Sequence, residues 1–169
     1  MRKLIFILAV ITLSGCGYKF NGASIPPEMK TVYIQPFENV AQLVVPRLST
    51  DLTEAFKDRV RTQSRLNLIT ASTADATFEG RITDYTIVPI SIQDNARPIA
   101  GANRMTITVS VKYTNKIKGH EKESFELPFT AFTDFSLAGQ TLQAQEKALI
   151  DKVTIQLTEN IFNRAFAQW

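Results

Sequence analysis

The chain has one cysteine and one histidine in 169 residues, and that scarcity limits its chemistry. A lone thiol forms no disulfide within the chain and no cysteine-rich zinc or iron–sulfur site. A lone imidazole, His120, makes a multi-histidine metal site impossible. Cys16 nevertheless has a definite chemistry, because it closes the run Leu13-Ser14-Gly15-Cys16. An aliphatic residue, two small residues and then cysteine form a lipobox. The small residues let the chain enter a peptidase site in extended form, and the thiol accepts diacylglycerol as a thioether. Cleavage between Gly15 and Cys16 then frees an amine for a further acyl chain.

The segment before the cysteine is built to deliver it. Arg2 and Lys3 make a short basic start, and Leu4 to Leu13 is almost unbroken apolar sequence. As a helix that stretch spans about 15 Å, half of a bilayer core and too short for a stable crossing. A basic start, a short apolar core and small residues describe a secretory signal peptide. The expected organisation is a lipoprotein signal at 1–15, a lipidated tether at 16–29 and one domain at 30–169. Each buried acyl methylene contributes roughly 0.8 kcal/mol, so several chains on Cys16 would hold the domain to a membrane without a spanning helix. The net charge of +3 falls to +1 without Arg2 and Lys3. Global charge therefore gives no case for nucleic-acid binding.

No catalytic constellation follows. Cys16 is consumed by lipidation, and His120 lies in a charged turn beside Gly119. Glu121, Glu123 and Glu126 read as neighbours on a solvated face. The chain contains no nucleophile elbow, P-loop or dinucleotide fingerprint. The expectation is a protein that is not an enzyme, with no metal and no catalytic residues.

Hydrophobic periodicity supplies the framework. Gly17 to Glu28, with two glycines and Pro26-Pro27, reads as the tether. Thr31 to Phe37 reads as a strand that Pro36 ends or confines to an edge. Pro46 to Thr62 is helical, with Leu48, Leu52, Ala55, Phe56 and Val60 on one stripe. Leu66 to Thr70 is a short strand, and Thr77 to Gln93 a long one bulged or bent near Tyr85 to Pro89. Asp94 to Asn103 is expected as a loop. Arg104 to Tyr113 alternates cleanly, with Met105, Ile107, Val109, Val111 and Tyr113 on one side. Glu123 to Phe135 alternates again through Phe125, Leu127, Phe129 and Ala131. Gly139 to Phe166 forms a long helix with Leu142, Leu149, Val153, Leu157, Ile161 and Phe162 or Ala165 facing the core. The fold class is α+β. The expected architecture is a two-layer α/β sandwich, a mixed and mostly antiparallel sheet with two helices packed on one face.

Several stretches together resemble one family. They are Cys16-Gly17-Tyr18-Lys19-Phe20-Asn21-Gly22, Ile34-Gln35-Pro36-Phe37-Glu38-Asn39, Ala74 to Ile82, Asn103 to Val109 and the ending Asn160 to Trp169. In order and spacing they are similar to the LptE family of lipopolysaccharide-assembly lipoproteins, in its Bacteroidota branch. The resemblance implies a protein that plugs an LptD-type outer-membrane β-barrel and helps it assemble lipopolysaccharide into the outer leaflet. It implies three partners: that barrel, lipopolysaccharide, and the outer membrane through the anchor. The implied chemical groups are the covalent diacylglycerol and N-acyl chain on Cys16. Surface-displayed lipoproteins of that branch carry acidic residues just after the cysteine. Gly17 to Ile25 contains Lys19 and no acid, which implies the periplasmic face. The alternatives are a scaffold or trafficking lipoprotein on the same fold, and a lipid-anchored periplasmic enzyme.

The family contacts lipopolysaccharide through basic side chains, and lipid A phosphates call for Arg or Lys. The candidates here are Arg97 and Arg104 at one end of the central hairpin and Lys116, Lys118 and Lys122 at the other. Phe162, Phe166 and Trp169 at the C-terminus either complete the core or serve as partner-interface anchors.

Overall fold

The computed structural model describes residues 25–71, 73–92, 99–137 and 139–167. Its elements run β1 (Thr31–Ile34), β2 (Glu38–Asn39), α1 (Leu48–Gln63), β3 (Asn67–Leu68), β4 (Ala76–Ile92), β5 (Ile99–Asn115), a 3-10 turn (Glu121–Glu123), β6 (Phe125–Ser136) and α2 (Leu142–Phe166). The strand order is β3-β1-β4-β5-β6, with β2 also alongside β4. β1 is parallel to both of its neighbours, so α1 serves as the crossover from β1 to β3. β4, β5 and β6 form a long antiparallel meander.

Both helices lie on one face. Phe78 of β4 contacts the Phe56 ring of α1 edge-on at 4.9 Å and the Phe166 ring of α2 at 5.8 Å. Tyr113, paired with Phe78 across β4 and β5, also meets Phe166, at 5.9 Å. Met105, Ile107, Val109, Val111 and Tyr113 are all buried, as their alternation requires. Leu48, Leu52, Phe56 and Val60 cover them from α1; Leu149, Val153, Leu157 and Ile161 do so from α2. The α+β sandwich with two helices on one face of a mixed sheet is therefore the observed fold.

Local chemistry explains the breaks. β1 ends two residues before Pro36, and Phe37 leaves the sheet. Its N–H donates to Thr53 Oγ1 at 2.9 Å, and its C=O accepts from Ser49 Oγ, so α1 satisfies the backbone that the sheet releases. The Phe37 ring lies against Gly80, where a Cβ would stand 2.6 Å from it. At the opposite end of β1, the Asp75 carboxylate accepts the N–H groups of Lys30 and Thr31, both at 2.9 Å, and the Thr31 hydroxyl at 2.8 Å. α2 starts at Leu142 rather than Gly139, because Thr141 caps it by accepting the N–H of Ala144.

Three local expectations need correction. Ile99 to Asn103 belongs to β5 rather than to a loop, because cross-strand pairing with β4 and β6 overrides a stretch poor in strand formers. β4 is irregular at Ile82/Asp84 and Ile90/Ile92, while Tyr85 to Pro89 stays in register. Leu127 lies on the helix-facing side of β6 but is exposed, although Ala131 and Phe135 further along the same edge strand are buried.

Candidate functional site

The two groups of basic candidates do not form one site. Arg104 sits in the upper part of β5, whereas Lys116 follows its lower end at Asn115. Asn115 is eleven strand steps from Arg104, roughly 35 Å. No single phosphate cluster spans that distance. Lys116, Lys118 and Lys122 are exposed around the turn that follows β5. The same turn carries Glu121, which accepts the N–H of Gly119, and Glu123, which meets His120 Nδ1 at 2.5 Å. That carboxylate hydrogen bond raises the imidazole pKa of His120 above its ordinary value. Glu123 also accepts from the side-chain amide of Asn115 at 2.9 Å, so the pair builds the turn.

Arg104 is engaged. Its Nε and Nη2 reach the two carboxylate oxygens of Asp134 at 2.7 and 2.9 Å, a bidentate grip across β5 and β6. Asp134 is thereby held below, and Arg104 above, its ordinary pKa. The guanidinium also lies 4.0 Å above the Phe132 ring. Phe132 is 47% exposed, and so is Val88, which pairs with Arg104 from β4. Asp134, Phe132 and Val88 lie beyond the sequence candidates, because finding them requires the register of three strands.

The rest of this open face is hydroxyl-rich. Thr106, Thr108 and Ser110 of β5 alternate with the buried residues, and the hydroxyls of Thr108 and Thr130 are 3.0 Å apart. Lower down, where β1 leaves β4, a cleft of about 300 Å³ opens between Gln35, Glu38, Glu79, Arg81, Lys112 and Glu126. Lys112 lies 3.7 Å from Glu79. Three carboxylates against two cations do not make an anion site. A second exposed feature is the loop before α1, where Val40, Leu43 and Val44 are exposed and apolar.

The C-terminal aromatic candidates divide. Phe162 and Phe166 are 4% and 1% exposed and contact each other at 5.2 Å, so both complete the core and present no anchor to a partner. This corrects the interface reading for both. Helical geometry places position 166 one turn beyond 162, and the ring then falls between Phe78 and Tyr113. Trp169, Arg97, Gly15 and Cys16 lie outside the described residues. Among the described residues no group of acidic, histidine or cysteine side chains could hold a metal ion.

Comparison with known proteins adds two findings. The model of the LptE family, described as lipopolysaccharide-assembly, matches residues 29–165. Several solved structures share the fold at low identity. A hypothetical protein from Chlamydia trachomatis is 9% identical over 81% of this chain and 98% of its own, with a TM-score of 0.56. A protein from Xanthomonas campestris is 10% identical over 83% and 87%, with a TM-score of 0.53. A minor lipoprotein from Acinetobacter baumannii is 16% identical over 80% and 91%, with a TM-score of 0.50. No curated protein sequence matches the chain.

Proposed function

The chain belongs to the LptE lipopolysaccharide-assembly family, and from that membership we infer that it is an outer-membrane lipoprotein which plugs an LptD-type β-barrel. In that position it assists delivery of lipopolysaccharide to the outer leaflet. The role is non-enzymatic. The observation that carries the reading is the family match across nearly the whole folded domain. The layered fold supports it. One sheet face is sealed by α1 and α2, and the other is an open, hydroxyl-rich surface of the kind that can meet the polar interior of a barrel.

Attachment is assigned to Cys16, carrying diacylglycerol and an N-acyl chain after cleavage behind Gly15. Among the described residues no helix is long and apolar enough to cross a membrane. The tether is assigned to the periplasmic face, from the absence of acidic residues between Gly17 and Ile25. Lys116, Lys118 and Lys122 remain the exposed cations proposed for lipopolysaccharide phosphates. Arg104, paired with Asp134, would first have to exchange a carboxylate for a phosphate.

The test is affinity purification of the full-length lipoprotein from detergent-solubilised outer membrane, with the bound proteins identified. A large barrel protein in stable proportion is the expected result. A monomer recovered without a barrel would turn the reading toward a scaffold or trafficking lipoprotein.

A further inference from the structure

One side of the β6 backbone has no partner strand among the described residues. Against β5 its register runs without a shift from Ser136 opposite Ala102 to Phe125 opposite Tyr113. In such a ladder, alternate residues turn their N–H and C=O toward the neighbour and away from it. Pro128 has no N–H, and an edge strand accommodates proline where that position faces outward. Ser136, of the same parity, gives its C=O to the side-chain Nε2 of Gln145 at 3.1 Å. The two observations agree. Between them, Thr130, Phe132 and Asp134 direct their backbone groups outward.

Edge strands in folded proteins are blunted by shortness, proline, bulges or lysine. At the other side of the sheet, β3 follows that rule with two residues. β6 does not. From Phe129 to Phe135 it carries no proline, no lysine, no arginine and no register shift. Its single charge, Asp134, is neutralised by Arg104. Phe132 is exposed within this stretch, and Leu137 is exposed just past the end of the strand.

We propose that the β6 edge from Phe129 to Phe135 binds an extended segment of the barrel protein as an additional strand of the sheet. The proposal rests on the barrel reading above and adds the surface and mode of contact. The backbone row specifies an extended peptide, because only an extended peptide answers N–H and C=O groups at strand spacing. The size of the edge specifies a partner rather than a second copy. These seven residues span about 24 Å, and one added strand of that length falls short of the roughly 1,200–2,000 Å² that a free-standing complex buries. It suits a partner already held close by a larger contact.

The experiment uses the full-length lipoprotein in cells that make its barrel. A photoreactive phenylalanine analogue at position 132 is expected to crosslink to one extended segment of the barrel. The same probe at Ile155, exposed on α2, is expected not to. Thr130→Pro removes an outward N–H and should lower barrel recovery about tenfold, equivalent to roughly 1.4 kcal/mol, with the melting temperature unchanged. Thr130→Ser should recover the barrel like wild type. If Thr130→Pro misfolds, Phe132→Lys and the crosslink decide. Undiminished recovery with the folded variant and no crosslink from position 132 would overturn the edge proposal and leave the barrel reading standing. A crosslink between two copies of this chain would overturn the choice of occupant. No barrel recovered with the wild-type protein would remove the barrel reading itself.

Discussion

Phe78 and Phe132 are both aromatic residues on strands of one meander, β4 and β6 with β5 between them, and their surroundings are opposite. Phe78 is wholly buried on the helix-covered face, in contact with Phe56, Tyr113 and Phe166. Phe132 stands half-exposed on the open face beneath the Arg104 guanidinium. The first environment is close-packed, so a lost ring leaves a void that its neighbours cannot fill. The second is wet, so a lost contact is replaced by water. The inner face should therefore report on folding and the outer face on recognition.

The largest effect should come from the inner face. Phe78→Ala is expected to cost about 3–5 kcal/mol, measured by chemical unfolding of the detergent-solubilised protein. A cost under about 1 kcal/mol would mean that the ring cluster is not the core that burial suggests. Gly80→Ala comes next. The new methyl group would stand 2.6 Å from the Phe37 ring, which Ser49 and Thr53 fix through its backbone. Overpacking of that kind costs about 1–3 kcal/mol and should appear as a lower melting temperature. A neutral outcome would show that Phe37 can move without disturbing α1.

Asp75 lies just before β4 and binds the start of β1, and its effect should depend on pH. The N–H of Lys30, followed by the Thr31 hydroxyl, holds its carboxylate below the ordinary value of 3.8. A depressed folded-state pKa gives stability that is present above 3.8 and lost as pH falls through the lower folded value. Asp75→Asn should thus destabilise the protein by about 1 kcal/mol at neutral pH. The gap to wild type should close in acid. Unfolding curves for both proteins across that range check the sign, and a gap that widened in acid would contradict it.

The smallest stability effect belongs to Arg104→Ala. An exposed ion pair screened by solvent should leave the melting temperature unchanged while freeing the Asp134 carboxylate. A clear fall in melting temperature would make the outer face structural and weaken the comparison.

Much of the inner face was legible in the sequence, because alternation and helical spacing are local. Met105 to Tyr113 and Leu149 to Ile161 follow their expected sides. The outer face was less legible for a physical reason. The Arg104–Asp134 pair joins residues 30 apart, and only strand register brings them together. The parallel pairing of β1 with β3 and β4 likewise depends on the path of α1 rather than on the composition of the strands. Phe162 and Phe166 were ambiguous because a helix flank can face a core or a partner with the same spacing. The position of Phe78 and Tyr113 decides between them.

The central claim is that this domain serves lipopolysaccharide assembly through a barrel. Its most direct measurement is the amount of newly made lipopolysaccharide reaching the cell surface after the protein is depleted. The account predicts that surface delivery falls, that lipopolysaccharide accumulates on the inner side of the outer membrane, and that re-expressing the wild-type chain restores delivery. Undiminished surface delivery in depleted cells would contradict it.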